Sequence, residues 1–292
     1  MSASLPWEGR HVVVTGANSG LGLASTIALA RSGAHVIMVC RNPTKAEAAR
    51  EEVIRAIPHA SVVLCQGDLG SLEAVRDLGR RLLLTHPVID VLINNAGVAL
   101  VERSETIDGL ETTFAVNHLA PFLLTHLLLP SLLNAPAGRI VNVASHAHRW
   151  GTIDFADLQS RKNYGIRPAY GASKLANILF TRSLARRLEG TPVTVNAAHP
   201  GAVRTGIGHS RNPVIRALGA FVKLFLRTPE RGARTQVMLA MSEDVATLNG
   251  RYFANEREAE PRPKAKDDDV AERLWDLSAE LVGIDGSAYG EA

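Results

Sequence analysis

The chain has 292 residues, of which 46% are apolar, and its 32 basic and 29 acidic side chains leave a net charge of only +3. This composition predicts a globular chain with a sizeable core, and the low charge, without a run of Lys or Arg, argues against a nucleic-acid partner. Cys40 and Cys65 both lie in apolar runs, so we expect two core thiols in a reducing compartment, with no disulfide and no metal site.

The sequence offers little sign of a membrane-spanning segment. Its first residues contain neither a basic stretch nor a long apolar run, so we expect no secretion signal. Residues 119–133 are rich in leucine, but Pro121, His126 and Pro130 interrupt them before the roughly 18 apolar residues that a span needs. We interpret this segment as a buried core helix and expect a cytoplasmic protein without a transmembrane segment.

Short apolar runs rich in β-branched residues alternate along the chain with helical patterns. The predicted strands are residues 11–15, 35–39, 61–65, 89–93, 139–143 and 193–198. Because these runs lack polar alternation, both faces of each strand should be covered, as in a parallel sheet between two helix layers. Asn42-Pro43 and Asp108 are typical of helix beginnings. Without a repeat or linker, the pattern predicts one α/β domain over residues 1–292, a doubly wound Rossmann domain with a parallel sheet of about seven strands.

The carboxyl-terminal part of the chain contains two further predicted segments. Residues 255–269 are charged and contain proline, which is typical of an exposed loop. Residues 269–282 place Val270, Leu274, Leu277 and Leu281 at helical spacing. We expect this last segment to be a helix that docks on the body of the domain.

A glycine-rich turn joins the first predicted strand to an apolar helix. The turn comprises Gly16, Ala17, Asn18, Ser19, Gly20, Leu21 and Gly22. A pyrophosphate binds the backbone N–H groups of a helix N-terminus, and glycines leave room for its approach. The spacing is G-x-x-x-G-x-G, which differs from the standard dinucleotide pattern, and a purely structural turn is the alternative reading.

The end of the second predicted strand bears on which nucleotide binds. Enzymes that use NAD place a carboxylate about 20 residues beyond the glycine turn, where it holds the ribose 2′-hydroxyl. Here Arg41 follows the strand, and the first acidic residue after it is Glu47. A guanidinium suits a 2′-phosphate because it donates several charged hydrogen bonds. We therefore expect NADP(H) to be favoured over NAD(H), unless Arg41 is simply a solvated surface residue.

Tyr170 and Lys174 form a candidate acid/base pair. They lie four residues apart in a predicted helix over residues 169–189, so they share one helical face. A phenol with an ordinary pKa of about 10 is a poor base at neutral pH, and a neighbouring cation favours its ionised form. By itself, such a pair is equally typical of a surface aromatic residue beside a solvated lysine.

A series of short motifs in chain order surrounds this pair. It comprises residues 15–22, Asp68 with Leu69, residues 94–97, Asn117, Ser145, Tyr170 with Lys174, and Pro200 with Gly201. With this series the chain resembles the short-chain dehydrogenase/reductase family over nearly its whole length. Segments 116–125, 173–181 and 228–233 are similar to its retinol-dehydrogenase branch. Two features of that branch and its relatives, an amino-terminal anchor helix and an active-site cysteine, are not expected here, so retinoid chemistry does not follow from the resemblance.

The resemblance implies a role for each matching residue. Tyr170 would protonate the carbonyl oxygen during reduction and deprotonate the alcohol during oxidation. Lys174 would lower the pKa of Tyr170 and hold the nicotinamide ribose. Ser145 would hydrogen-bond the substrate oxygen, and Asn117 would anchor a water linked to Lys174. The remaining implied cofactor contacts are Asp68 and Leu69 at the adenine, Asn95, Ala96 and Gly97 at its ribose, Pro200 and Gly201, and Val203 with Thr205 at the nicotinamide amide.

Residues 203–228 are predicted to form a lid over the substrate. They combine apolar residues at helical spacing with Arg216, Lys223 and Arg227, so a helix in peripheral contact with a membrane surface is the alternative. Their aliphatic character favours a bulky apolar small-molecule substrate. Candidate substrate contacts elsewhere are His146, Trp150 and His199.

Together these features predict an NADP(H)-dependent enzyme that reduces a ketone or aldehyde, or oxidises the corresponding alcohol. The alternatives are a cofactor-binding sensor without turnover and an NAD-preferring alcohol dehydrogenase. The resemblance also implies that the long helices over residues 108–134 and 169–189 pair in a homodimer. An ordinary core would explain their apolar faces equally well.

Overall fold

The structure is a computed structural model that describes residues 5–201 and 228–286. Its strands are β1 (His11–Thr15), β2 (His35–Cys40), β3 (Val62–Gln66), β4 (Val91–Asn94), β5 (Arg139–Val143), β6 (Thr194–His199), β7 (Tyr252–Ala254) and β8 (Arg257–Glu258). Over the described residues they form one sheet in the order β3-β2-β1-β4-β5-β6-β7-β8. The first seven pair in parallel and only β8 is antiparallel. The predicted doubly wound sheet is confirmed, with β8 as an addition at its edge.

Helices cover both faces of this sheet. They are α1 (Gly20–Arg31), α2 (Pro43–Ala56), α3 (Leu72–Thr85), α4 (Thr112–Phe114), α5 (Ala120–Leu133), α6 (Ile166–Arg187), α7 (Pro229–Met241) and α8 (Asp268–Val282). Helices α1, α2 and α7 pack on one face, and α3, α5, α6 and α8 pack on the other. Within β1, Val13 joins one core while Val12 and Val14 join the other, which is why the strands lack polar alternation.

The long central helix begins later than its sequence predicts. Asp108 does not cap it; its carboxylate instead accepts a hydrogen bond from the backbone N–H of Leu72 at 2.9 Å. The cap is Glu111, whose buried carboxylate accepts from the N–H groups of Thr113 and Phe114, each at 2.7 Å. One π-helical turn, Ala115–Leu119, then joins α4 to α5. Asp108, which the sequence predicts as the cap of the long helix, therefore accepts a hydrogen bond from the first residue of α3 instead.

The prediction of an exposed loop over residues 255–269 is wrong in part. This segment contains β8, a 3-10 turn at Pro263–Ala265 and the beginning of α8. Most of its charged side chains are exposed, but Ala265 is fully buried in the core. Ala265 therefore anchors a segment whose charged composition alone predicts that it is exposed to solvent.

Helix α8 docks on α6, as the apolar spacing predicted. Trp275 packs in T-shaped contact with Phe122, 4.9 Å between ring centroids, and lies 5.9 Å from the ring of Phe180. The guanidinium of Arg187 lies 4.0 Å above the Trp275 ring. Pairing of α5 and α6 in a homodimer remains a prediction, and the surfaces that contact α8 are not available for it.

One helical stretch among the described residues, Thr112–Leu133, is long and apolar enough to cross a membrane. Its most apolar window is 78% buried within the protein. Its leucines pack against α3, α6 and α8, which is the arrangement expected of a core helix.

Candidate active site

A cleft of about 1470 Å³ opens at the carboxyl ends of the strands. The strand order reverses between β1 and β4, and in doubly wound sheets ligands bind in the crevice at such a point. Its walls come from the turns that follow β1, β2, β3, β4, β5 and β6, together with side chains of α6. The fold thus brings motifs that are far apart in sequence to one edge of the sheet.

The glycine turn after β1 is shaped by close backbone approach. Gly16 has a φ of +66°, and a Cβ on Gly22 would lie 2.2 Å from the carbonyl oxygen of Gly16. Ser19 precedes α1 and its side chain makes no capping hydrogen bond. The first turn of α1 therefore keeps N–H groups available for an anion.

Side chains at the ends of β1 and β4 tie the two turns together. The Thr15 hydroxyl accepts hydrogen bonds from the backbone N–H groups of Asn95 and Ala96, each at 3.0 Å. In return, the Asn95 side-chain amide donates to the carbonyl of Thr15 at 2.8 Å. These three hydrogen bonds hold the glycine turn against the loop that follows β4.

Arg41 and Asp68, which we expect to bind the adenosine part of the cofactor, both line the cleft. Arg41 is exposed and lines the cleft. The nearby acid Glu47 is hydrogen-bonded to Arg50 at 2.5 Å rather than to Arg41. Asp68 accepts a hydrogen bond from the backbone N–H of Gly70 at 2.9 Å, so it also shapes its own turn.

Most of the predicted cofactor residues line this one cleft: Gly16, Asn18, Ser19, Gly20, Leu21, Gly22, Arg41, Asp68, Leu69, Asn95, Ala96, Gly97, Tyr170, Lys174 and Pro200. Gly201 follows Pro200 but is not among the lining residues. The predicted lid, residues 203–228, lies outside the described residues except for Thr228. Val203 and Thr205 belong to this segment.

Helix α6 places Tyr170 and Lys174 one turn apart on the cleft wall. The Lys174 ammonium donates to the carbonyl of Val143 at 2.8 Å and lies 5.6 Å from the centre of the Tyr170 ring. Burial lowers the pKa of Lys174 to about 8. Burial also raises the pKa of Tyr170 to about 12, against a smaller opposing effect of its hydrogen bond with Ser145.

The expectation that Lys174 depresses the pKa of Tyr170 stays a prediction, because Lys174 is not among the causes of the shift at Tyr170. Desolvation disfavours the charged form of a phenol, and here it outweighs the hydrogen bond with Ser145. The ammonium of Lys174 is directed at the Val143 carbonyl. As it stands, the site holds a neutral Tyr170, which is a proton donor at neutral pH.

Ser145 and Asn117 occupy supporting positions around this pair. Ser145 begins the 3-10 turn His146–Arg149, and its hydroxyl accepts from the N–H of Ala147 at 3.1 Å. The Asn117 amide donates to the carbonyl of Val98 at 2.9 Å and to the Ser173 hydroxyl at 3.0 Å. Asn117 therefore fastens the loop after β4 to α6, beside Tyr170 and Lys174.

The three candidate substrate residues lie beside the cleft rather than among its lining residues. His146 stacks on His199 with 3.8 Å between ring centroids, and its backbone N–H donates to His199 Nδ1 at 3.2 Å. Trp150 is exposed, with the Arg167 guanidinium 4.6 Å from the centre of its ring. Contact of these residues with a substrate remains a prediction.

Sequence reasoning missed several residues of the site. The missed residues are Ser173, Asn177 and the segment 98–106, which contact or line the site. Helical spacing could have indicated Asn177, which lies three residues after Lys174 on the same helix. The Val143 carbonyl has no sequence signal, because every residue carries one. No group of three or more His, Cys, Asp or Glu within the described ranges could hold a metal ion.

Comparison with known proteins gives consistent matches. The model of the short chain dehydrogenase family matches residues 10–215. Retinol dehydrogenase 14 of Mus musculus is 47% identical over 290 residues, which cover 95% of this chain and 87% of that protein. Retinol dehydrogenase 13 of Homo sapiens is 42% identical over 296 residues, covering 99% and 88%.

Solved structures show the same fold. A crystal structure of an uncharacterized protein from Mycobacterium paratuberculosis aligns with a TM-score of 0.79 at 36% identity, covering 97% of both chains. A short chain dehydrogenase from Shigella flexneri 2a, crystallised with NADP, aligns with a TM-score of 0.67 at 25% identity, covering 87% of this chain and all of its own.

Proposed function

The chain belongs to the short-chain dehydrogenase family, in its retinol-dehydrogenase-like branch, and from this membership we propose that it is an NADP(H)-dependent carbonyl reductase. It reduces a bulky apolar ketone or aldehyde, or oxidises the corresponding alcohol, with Tyr170 as the acid/base. One observation carries the proposal: Tyr170 and Lys174 line the same cleft as the glycine turn and Arg41.

The residues of the cleft fit a nicotinamide dinucleotide. The close approach of Gly22 to Gly16 and the uncapped start of α1 form a cradle for a pyrophosphate. Arg41 would hold the 2′-phosphate of NADP(H), and Lys174 the hydroxyls of the nicotinamide ribose. A bound nicotinamide supplies or accepts the hydride. The Shigella flexneri relative was crystallised with NADP, which supports the choice of cofactor.

Tyr170 and Ser145 would share the substrate oxygen. With its pKa raised to about 12, Tyr170 is protonated at neutral pH and can give its proton to the carbonyl oxygen during reduction. The Ser145 hydroxyl, hydrogen-bonded with Tyr170, is the second donor for the developing oxyanion. Alcohol oxidation needs the ionised phenol, so the protein's own residues favour reduction at neutral pH and oxidation at alkaline pH.

The cleft also offers apolar surface for a substrate. Beyond the glycine turns, its lining includes Val98, Ala99, Leu100, Val101 and Val116 from the loop after β4 and the π-helical turn. The relatives named retinol dehydrogenases act, by that name, on a long apolar alcohol. Both observations support a bulky apolar substrate.

The substitution Tyr170→Phe tests the acid/base role. It removes only the phenolic oxygen, so we expect turnover to fall at least 10³-fold while the dissociation constant for NADPH changes less than about threefold. Initial rates and fluorescence titration with NADPH measure the two quantities. Retained turnover would exclude Tyr170 as the acid/base. A wild-type protein that binds NADPH but turns over no carbonyl would favour the sensor alternative.

A further inference from the structure

Two side chains of α6 share one backbone acceptor behind the cleft. Lys174 Nζ donates to the Val143 carbonyl at 2.8 Å, and Asn177 Nδ2 donates to the same oxygen at 3.2 Å. Val143 ends β5, two residues before Ser145. This carbonyl therefore connects the strand that leads to Ser145 with the helix that carries Tyr170 and Lys174.

His118 lies on the other side of Asn177. Its Nε2 is 2.9 Å from the hydroxyl oxygen of Ser278 in α8. Burial lowers its pKa to about 3, opposed by a smaller effect of the neighbouring Asn177 side chain. Since Nε2 is engaged by Ser278, Nδ1 is the ring atom left for Asn177. His118 Nδ1 and Asn177 Oδ1 are both buried, and neither atom has a hydrogen-bond partner within bonding distance.

The neutral state of His118 sets the direction of these hydrogen bonds. A neutral imidazole has one donor and one acceptor nitrogen. If Nδ1–H donates to Asn177 Oδ1, then Nε2 accepts from the Ser278 hydroxyl. The ring is otherwise enclosed by Phe114, Phe122 and Phe180, at centroid distances of 5.0, 6.1 and 6.1 Å. The N–H of the Asn177 amide is directed at Val143, and its partnerless oxygen is the acceptor available to His118.

We propose that Asn177, oriented by His118, is a positioning residue that fixes the Val143 carbonyl at which Lys174 is held. This inference rests on the proposed function, in which Lys174 acts beside Tyr170. Asn177 and His118 are buried and are not among the residues that line the cleft, so they act only through the carbonyl and Lys174.

Loss of this positioning would have two effects. A misplacement of about 1 Å in a catalytic constellation costs up to about 10²-fold in rate. The N–H of Asn177 also points its partial positive charge at the oxygen that Lys174 binds, so its removal should let Lys174 keep its proton more readily. Among the described residues, the titratable group in contact with Lys174 is the phenol of Tyr170. We therefore expect a lower kcat and a higher Lys174 pKa.

The test compares Asn177→Leu and His118→Phe, alone and combined. We expect Asn177→Leu to lower kcat at least tenfold and His118→Phe to lower it about threefold or more, with NADPH binding changed less than about twofold. Because His118 acts through Asn177, the combined variant should match Asn177→Leu alone. If Asn177→Leu does not fold, Asn177→Ser, too short to reach the carbonyl, replaces it in the same comparison.

A matched control separates positioning from core stability. Thr235→Val removes a buried hydroxyl that accepts from the backbone N–H of Glu256 at 3.2 Å, in α7 on the opposite face of the sheet from α6. It should lower stability and leave kcat within about twofold. Unchanged kcat in folded Asn177→Leu, or independent effects of the two substitutions, would overturn the proposal.

A readout without turnover distinguishes this proposal from the proposed function. NMR titration of ¹³C-labelled lysine side chains follows Lys174 directly, with Lys174→Met as the assignment control. We expect the Lys174 pKa to rise in Asn177→Leu and to stay unchanged in Thr235→Val. If the wild-type protein turns over no carbonyl, the proposed function fails while a raised pKa still supports the positioning. A pKa equal to that of the wild type contradicts it.

Discussion

Residue 41 is the position that bears most directly on cofactor choice. Arg41 lines the cleft just beyond β2, and the neighbouring acid Glu47 is paired with Arg50. Charged hydrogen bonds from a guanidinium to a phosphate stabilise only a nucleotide that carries the 2′-phosphate. The discrimination between NADPH and NADH should therefore depend on this single side chain more than on any other described one.

The substitution Arg41→Ala should weaken NADPH binding at least tenfold more than NADH binding. Hydrogen bonds to charged groups contribute about 1.5–3 kcal/mol, and NADH lacks their partner. Fluorescence titration with each nucleotide gives the two dissociation constants. Arg55→Ala, an exposed arginine in the last turn of α2, is the control and should change neither. Equal losses for both nucleotides would exclude Arg41 from 2′-phosphate recognition.

Side-chain type and spacing made part of the site predictable. The glycines of the first turn, Arg41, Tyr170 and Lys174 all line one cleft, as their order along the chain implied. The raised pKa of Tyr170 was not predictable, because it depends on burial that only the folded structure defines. The role of the Val143 carbonyl was not predictable either, since a backbone acceptor leaves no mark in the sequence.

At the scale of elements, α8 completes the core that α5 and α6 begin. Trp275 is buried against Phe122 and Phe180, and its indole N–H donates to the carbonyl of Gly286 at 3.0 Å. On the helix surface, Arg187 pairs with Glu272 at 2.7 Å. This aromatic contact should contribute more than the partly exposed ion pair, because exposed pairs contribute about 0–1 kcal/mol.

The substitution Trp275→Ala should lower the free energy of unfolding by about 3–5 kcal/mol. Removing a buried indole leaves a cavity between α8 and α6. Urea denaturation measures the loss. Asp276→Ala, at the exposed neighbouring position on the same helix, should change stability by less than about 0.5 kcal/mol. Similar small effects for both would show that α8 is not docked through Trp275.

The strands were predicted best, because each is a short run rich in apolar residues. All six predicted strands are present; five are almost wholly buried, whereas β3, at the edge of the sheet, is partly exposed and does not have both faces covered. The charged segment 255–269 was harder, since β8 is a two-residue edge strand and Ala265 is a single anchor. Asp108 had the chemistry of a helix cap, and only the approach of α3 shows that it serves Leu72 instead.

At the scale of the whole molecule, the two edges of the sheet differ in chemistry. The carboxyl edge holds the cleft, whereas His11 and His35 begin β1 and β2 at the opposite edge, with His86 nearby. Burial and the charge of His11 both lower the pKa of His35 and of His86. Burial lowers the pKa of His118 in the core to about 3. The folded protein therefore holds several histidines that stay neutral below the pH at which they are protonated when unfolded.

Stability should fall as the pH drops below about 6.5. Between about pH 6.5 and 3, His118 binds a proton only in the unfolded chain, so the free energy of unfolding decreases by about 1.4 kcal/mol per pH unit for this one group. Above that window the group contributes no pH dependence. Urea denaturation at about pH 7.5, 6.5 and 5.5 measures the slope. His118→Phe should make the slope smaller by nearly one proton, and an unchanged slope would contradict a neutral buried His118.

We propose that an NADPH-dependent reaction takes place at the Tyr170 site. The most direct measurement is the initial rate of NADPH and of NADH oxidation by the purified protein with a panel of bulky apolar aldehydes and ketones, retinal among them. We expect NADPH to be oxidised at least tenfold faster than NADH with at least one apolar carbonyl, and we expect Tyr170→Phe to abolish this rate. A preference for NADH, or tight NADPH binding without turnover of any carbonyl, would contradict the account.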